Sequence, residues 1–206
     1  MRPASAPDGG AGDQARDGLA ARLVEVRALA SEMLAPVGRH EAEALPLPIL
    51  AREHQAAPHV RDYLIWWTLN ANATGTFAAR TRWLRRLPAP WLLRMMFALG
   101  YDGLVYIQDG AAIGHVFFQR RGDALHGFST AVSPPFDGGG YSVAILLDFI
   151  AYASQAPGIV KARVGRGDNN VTRRFLQRLE GLAPALGWKI SPAGWITVHA
   201  GRDAER

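Results

Sequence analysis

The sequence predicts an α+β fold: a helical first half, then a mixed and mostly antiparallel sheet. Three observations predict it. Up to Gly100 the apolar residues recur at helical intervals, in segments cut by Pro46, Pro48, Gly75, Pro88 and Pro90. From Leu104 the pattern becomes β-rich around Asp109-Gly110, the strongest short hairpin signal. A later strand–helix–strand passage requires two parallel strands inside that sheet.

The elements follow in order. Residues 1–16 are small and polar and read as a disordered tail. Residues 17–100 form the helical region and 101–200 the sheet-bearing core, packed together as one domain. From Gly18 to Ala35 apolar residues at Leu19, Leu23, Val26, Leu29 and Met33 share a helical face. Within that stretch "LVEV" fits a short strand as well. "ALPLPIL" is a connection. "HVRDYLIWWTLNANATG", "TFAARTRWLRRL" and "PWLLRMMFALG" are helix candidates, the last opening at Pro90 and closing at Gly100. "LVYIQDGAAIGHVFFQR" is the hairpin, and "ALHGFSTAV" the strand after the turn "RRGD". "SVAILLDFIAYASQA" is an apolar helix, "IVKARV" a strand, and "NNVTRRFLQRLEGLA" a helix capped by Asn169 or Asn170. "WKI" and "WITVHA" close the chain as short strands.

Composition excludes several functions. There is no cysteine, so disulfides, thiolate metal sites and cysteine nucleophiles are absent, which fits a cytoplasmic protein. No apolar run reaches the length of a transmembrane helix, and the N-terminus lacks a signal-peptide core. The net charge is +5. Between Arg61 and Arg94 six arginines accompany one acid, Asp62, with Trp66, Trp67, Trp83 and Trp91. Such a segment either binds phosphate, an acidic partner or a membrane surface, or is a helical layer with a solvated arginine face.

"VSPPFDGGGYS", Val132 to Ser142, joins a strand to the apolar helix. A helix N-terminus has unpaired N–H groups and partial positive charge, both of which favour an anion. Gly138, Gly139 and Gly140 remove side chains where a phosphate would approach. Ser142 is small and can cap the helix. No lysine follows the glycines, which excludes a P-loop, and the dinucleotide fingerprint does not fit either.

The stretch resembles the acetyl-CoA loop of the GNAT N-acetyltransferase superfamily, V-x-P-x-aromatic-R-G-x-G-x-G/A. Val132, Pro134, Phe136, Gly138, Gly140 and Ser142 fall at the matching places. "GAAIGHVFF" is similar to that family's hairpin strand, and "VGRGDNNVTRRFLQRL…LGW" to its V-x-x-x-N-x-x-A segment. The resemblance runs from about residue 104 to 198. Asp137 stands where the family has Arg or Gln, and Leu176 where it has a tyrosine acid.

The resemblance implies a GNAT-like sheet in which acetyl-CoA, or another acyl-CoA, lies between the strands Leu125–Val132 and Ile159–Val164. It implies cofactor contacts from Thr130, Val132, Asp137, Gly138, Gly139, Gly140, Tyr141, Ser142, Asn169 and Asn170. His126 stands where the family often has a glutamate and is the candidate general base, with His115 second. Alternate residues of a strand share a face, which would put His126, Phe128, Thr130 and Val132 together. Tyr141 or Ser129 would protonate the leaving thiolate. The expected activity is N-acetyl transfer to a primary amine of a small molecule or peptide. The first half would line the acceptor side. No metal or nucleic acid is expected as a partner, and a homodimer is the assembly considered. Two other readings stay open: a GNAT-like CoA or acyl binder or thioester-processing relative without amine transfer, and a nucleic-acid or membrane-surface binder using Arg80–Arg94.

Overall fold

The computed structural model of the chain describes residues 10–30, 45–53, 88–133, 136, 141–164 and 170–198. The helix candidates at 59–75 and 76–87 lie outside them, and so do Arg61, Arg80–Arg86, Trp66, Trp67 and Trp83.

Helix α1 spans Gly10–Leu29. It takes in "LVEV" as helix and begins inside the stretch expected as a tail. Strand β1 is Ile49–Leu50, where a connection was expected. Its two residues pair antiparallel with the next strand, so a neighbour's edge organises them rather than their own propensity. Helix α2, Ala89–Ala98, starts after Pro88 and is followed by Gly100 at φ 77°. Strands β2 (Tyr101–Gln108) and β3 (Ala111–Arg121) form the hairpin. Asp109 and Gly110 both have positive φ, 52° and 77°, as a type I′ turn demands. Strand β4 is Ala124–Val132, and helix α3 Tyr141–Gln155. Strand β5 is Lys161–Val164, shorter than its apolar run, and helix α4 is Asn170–Leu182. Strands β6 (Lys189–Ile190) and β7 (Trp195–Thr197) finish the order.

The described strands make one seven-stranded sheet in the order β1-β2-β3-β4-β5-β7-β6. Every adjacent pair is antiparallel except β4 and β5, which run parallel across α3. The expected α+β architecture, with its one parallel pair, is therefore present.

Helix α3 is the centre of the core. Ala144 through Ala151 form an unbroken buried run. A helix buried on all sides needs cover on two, and it has the sheet on one side and α1 on the other. Phe118 packs on Phe149 and Tyr152. Two glycines permit the close approach. A Cβ at Gly127 would lie 3.2 Å from Phe149, and one at Gly114 would lie 2.6 Å from the Ala131 carbonyl.

One polar cluster sits inside this apolar layer. Asp148 of α3 is fully buried. Its carboxylate accepts from Arg27 of α1 at 3.0 and 2.5 Å and from the Tyr106 hydroxyl of β2 at 2.7 Å. Arg27 also donates to the Leu45 carbonyl at 2.7 Å. Burial pushes the Asp148 carboxyl up, while the hydrogen bonds from Arg27 and Tyr106 hold it down. Burial also keeps the Tyr106 hydroxyl protonated, so it donates.

Removing one partner of such a pair leaves a buried charge unmatched. Asp148→Leu should lower the unfolding free energy by about 3–5 kcal/mol in urea titrations. The double variant Arg27→Met, Asp148→Leu should lose clearly less than the sum of its single variants; additive losses would show that the two side chains are not coupled.

Candidate active site at the parting of β4 and β5

Strand β4 pairs with β5 over four residues only, from Ala124↔Lys161 to Gly127↔Val164. Past Gly127 no described residue pairs with β4 on that side. At the same point β4 bulges. Phe117 faces Ser129 and Phe118 faces Gly127, so Phe128 is the extra residue. A bulge bends its strand and re-aims the side chains beyond it. The outcome is a strand that leaves its parallel neighbour, with no described residue paired to that edge over Phe128 to Val132. An uncovered strand edge presents backbone N–H and C=O groups.

Both helix starts lie at this end. In a strand–helix–strand unit the helix begins at the carboxyl end of the first strand, where open sheets bind ligands. Tyr141 opens α3 after β4, and Asn170 opens α4 after β5. Their first N–H groups have no intrahelical partner. An extended, amide-bearing chain ending in phosphates fits this arrangement. The uncovered edge would hold the chain, and the start of α3 would hold the phosphates.

The predicted site residues fall into three groups. Thr130 and Val132 lie on β4 past the parting, and Tyr141 and Ser142 open α3. Thr130 is exposed and Val132 half-buried. The half-buried Tyr141 meets Phe136 edge-on at 6.1 Å. His126 stands apart from Thr130 and Val132. Directly opposed residues share a face, so Thr130 follows Val116 and Val132 follows Gly114 onto the α3 side. His126 follows Gln119 onto the opposite face. The expectation that His126, Phe128, Thr130 and Val132 share one face is therefore wrong, because the bulge shifts the alternation by one residue. Ser129, opposite Phe117, is the residue that rejoins the His126 face. Asp137, Gly138, Gly139, Gly140 and Asn169 lie outside the described residues. Asn170 is placed by its backbone at the start of α4.

The two histidines differ. His115 is fully buried on β3, its ring 4.2 Å from Phe117 and its Nε2 3.4 Å from Ser129 Oγ. Burial lowers its pKa to about 3. A base that weak is poorly matched to an ammonium at neutral pH. His126 is half-buried and meets Trp195 edge-on at 4.9 Å. Its pKa is lowered by burial and by Arg121, Arg163 and Lys161, which keeps it neutral and able to accept a proton at pH 7. Leu176 packs against the core beside Gly194.

No family model matches the chain, and no curated protein matches it. Among solved structures it is similar to the crystal structure of Tetrahymena GCN5, at 14% identity over 60% of this chain and 84% of that one, with a TM-score of 0.36. It is also similar to the PaiA N-acetyltransferase of Thermoplasma acidophilum in complex with coenzyme A, at 15% identity over 65% and 84%, with a TM-score of 0.36. Likeness of that size carries no functional argument, and the reading below stands on the sheet.

Other features lie away from the parting. A cavity of about 390 Å³ is lined by Arg22 and Glu25 of α1 and by Ser154 and Gln155 of α3, on the helical side. Among the described residues no group of acids and histidines could hold a metal ion, and no helix is long and apolar enough to cross a membrane. Sequence reasoning missed Phe128, Arg163 and Trp195. For Arg163 a signal existed: Lys161 and Arg163 alternate in "KARV" and so share one face of a strand.

The buried His115 gives a pH test. Unfolded, it titrates near 6.5; folded, near 3. Above pH 6.5 both states are neutral and stability is complete. Below it the unfolded chain takes up a proton that the fold refuses, so stability falls as pH falls toward 3. One proton corresponds to about 1.4 kcal/mol per pH unit. Urea unfolding of His115→Asn should show a flatter profile than the original chain between pH 6 and 4; parallel profiles would contradict this.

Proposed function

We propose that the chain is an acyl-CoA-dependent N-acyltransferase that acts on a primary amine in a ternary complex. The observation that carries this reading is the parting of β4 from β5 at the Phe128 bulge, directly before the glycine loop and α3. It supports binding of an extended acyl carrier rather than a compact nucleotide.

Acetyl-CoA, or a longer acyl-CoA, supplies the activated thioester. The chain's own groups account for the rest. A backbone N–H on the uncovered stretch of β4 donates to the thioester oxygen as negative charge develops there. His126 takes the proton that the attacking amine must lose, directly or through water, because a free ammonium has a pKa near roughly 10.4. Tyr141 or Ser129 returns a proton to the departing thiolate. Thr130 and Val132 line the acyl arm, Ser142, Gly138, Gly139 and Gly140 receive the phosphates, and Asn169 or Asn170 contacts the arm.

A second reading, an acyl-CoA binder without amine transfer, is favoured by Leu176, which packs into the core and offers no acid. Calorimetric titration with acetyl-CoA, followed by rate measurement on the His126→Ala variant, separates the two. Micromolar binding with a rate that drops about 100-fold or more in the variant and loses its acid limb supports transfer with His126 as base. Binding without any acetylated amine supports the second reading. No binding removes both.

A further inference from the structure

The face of the sheet turned away from α3 carries a row of side chains across four strands. Gln119 of β3 is opposite His126 of β4, His126 opposite Arg163 of β5, and Arg163 opposite Trp195 of β7. Opposed residues share a face, so these four side chains lie side by side. Lys161, two residues before Arg163, extends the row. Arg121, two residues after Gln119, extends it on the other side.

The charges in this row do not cancel. Lys161 approaches Asp123 at 3.6 Å, and Arg121 donates to the amide oxygen of Gln119 at 2.8 Å. Arg163 has neither kind of partner among the described residues. Its guanidinium lies 5.7 Å from the Trp195 ring centre, and its buried Nε has no acceptor. Lys161 lies 5.5 Å from the same ring. A buried guanidinium donor without an acceptor is costly. A carboxylate is the complementary group, since it accepts from the planar fork of arginine through two oxygens. The same cations act on His126, whose protonated form they disfavour.

The row also lies beside the parting of β4 and β5. Arg163 is opposite His126, and pairing ends one residue later at Gly127 and Val164. Two residues of strand cover roughly 7 Å, about the extended span from carboxylate to amine in an ω-amino acid of four to six carbons. We infer that Arg163, with Lys161 and Trp195 beside it, is an anion subsite that holds the carboxylate of the amine acceptor. The acceptor class is then an ω-amino acid with a free carboxylate. This inference rests on the acyltransfer reading above.

The test has a binding arm and a rate arm. In the binding arm, the Arg163 Nε–Hε resonance of the full chain is followed by NMR and assigned by its loss in Arg163→Lys. Sodium acetate should move it saturably, and acetamide should not. In the rate arm, acetylation of glycine, β-alanine, 4-aminobutyrate and 6-aminohexanoate is compared with that of their amides. The longer acids, 4-aminobutyrate and 6-aminohexanoate, should be preferred over their amides, and Arg163→Gln should reduce that ratio about tenfold or more, with partial recovery in Arg163→Lys. A resonance that ignores acetate overturns the subsite. An acid-to-amide ratio near one, or one unchanged in Arg163→Gln, overturns the acceptor class even where acetyl-CoA binds and transfer occurs. A resonance that moves with CoA but not with dephospho-CoA assigns the anion to the cofactor's 3′-phosphate and also overturns it. If acetyl-CoA does not bind, the acyltransfer reading fails and the acceptor class falls with it, while the acetate titration alone decides whether Arg163 holds an anion.

Discussion

Asp148 sets the position of α3, and α3 in turn covers the sheet beside the end of β4. A carboxylate with no exposure cannot be left unsatisfied in an apolar layer. Its partners come from two different elements, Arg27 from α1 and Tyr106 from β2. Satisfying all three groups at once allows one placement of α3 between the sheet and α1. Apolar packing alone tolerates sliding, because leucine, isoleucine and phenylalanine contacts carry little direction. Directional hydrogen bonds do not tolerate it. The start of α3 at Tyr141 is therefore held against the end of β4, where the sheet opens.

The opening itself has a local cause. Phe128 is one residue too many for the β3–β4 ladder, and the strand bends there. Bending moves β4 off β5 just past Gly127, a position where any side chain would crowd Phe149 and the Arg163 carbonyl. A tight junction is thus followed at once by a parting. The bulge has a second effect. It turns Thr130 and Val132 toward α3 and leaves His126 on the other face, so the carrier side and the acceptor side of the proposed reaction are divided between the two faces of one strand. Arg163 and Trp195 stand on the acceptor side by virtue of register alone.

Much of this was legible in the sequence wherever a residue type is forced by backbone geometry. Asp109-Gly110 had to be a hairpin turn because both positions need positive φ. Gly100 closes α2 for a related reason, whereas α2 opens at Ala89, one residue before the Pro90 expected. The apolar run of α3 and the full length of β4 were equally plain. The rest depended on partners distant in the chain. Arg27 and Asp148 are 121 residues apart, and neither carries a local mark of the other. Ile49–Leu50 is a strand only because β2 offers an edge. The bulge has no residue signature, since phenylalanine is an ordinary strand residue, so the rule of alternation misassigned Thr130 and Val132. The row from Gln119 to Trp195 needs the register of four strands, which no single segment encodes.

The central claim is that the uncovered stretch of β4 receives an acyl carrier. Amide hydrogen exchange, read peptide by peptide with and without acetyl-CoA, tests it most directly. The account predicts slowed exchange in Phe128–Val132 and in the first turn of α3, with no change along α1 or in the cavity between α1 and α3. Protection confined to α1 and Ser154–Gln155, or no protection in β4 at saturating acetyl-CoA, would contradict it.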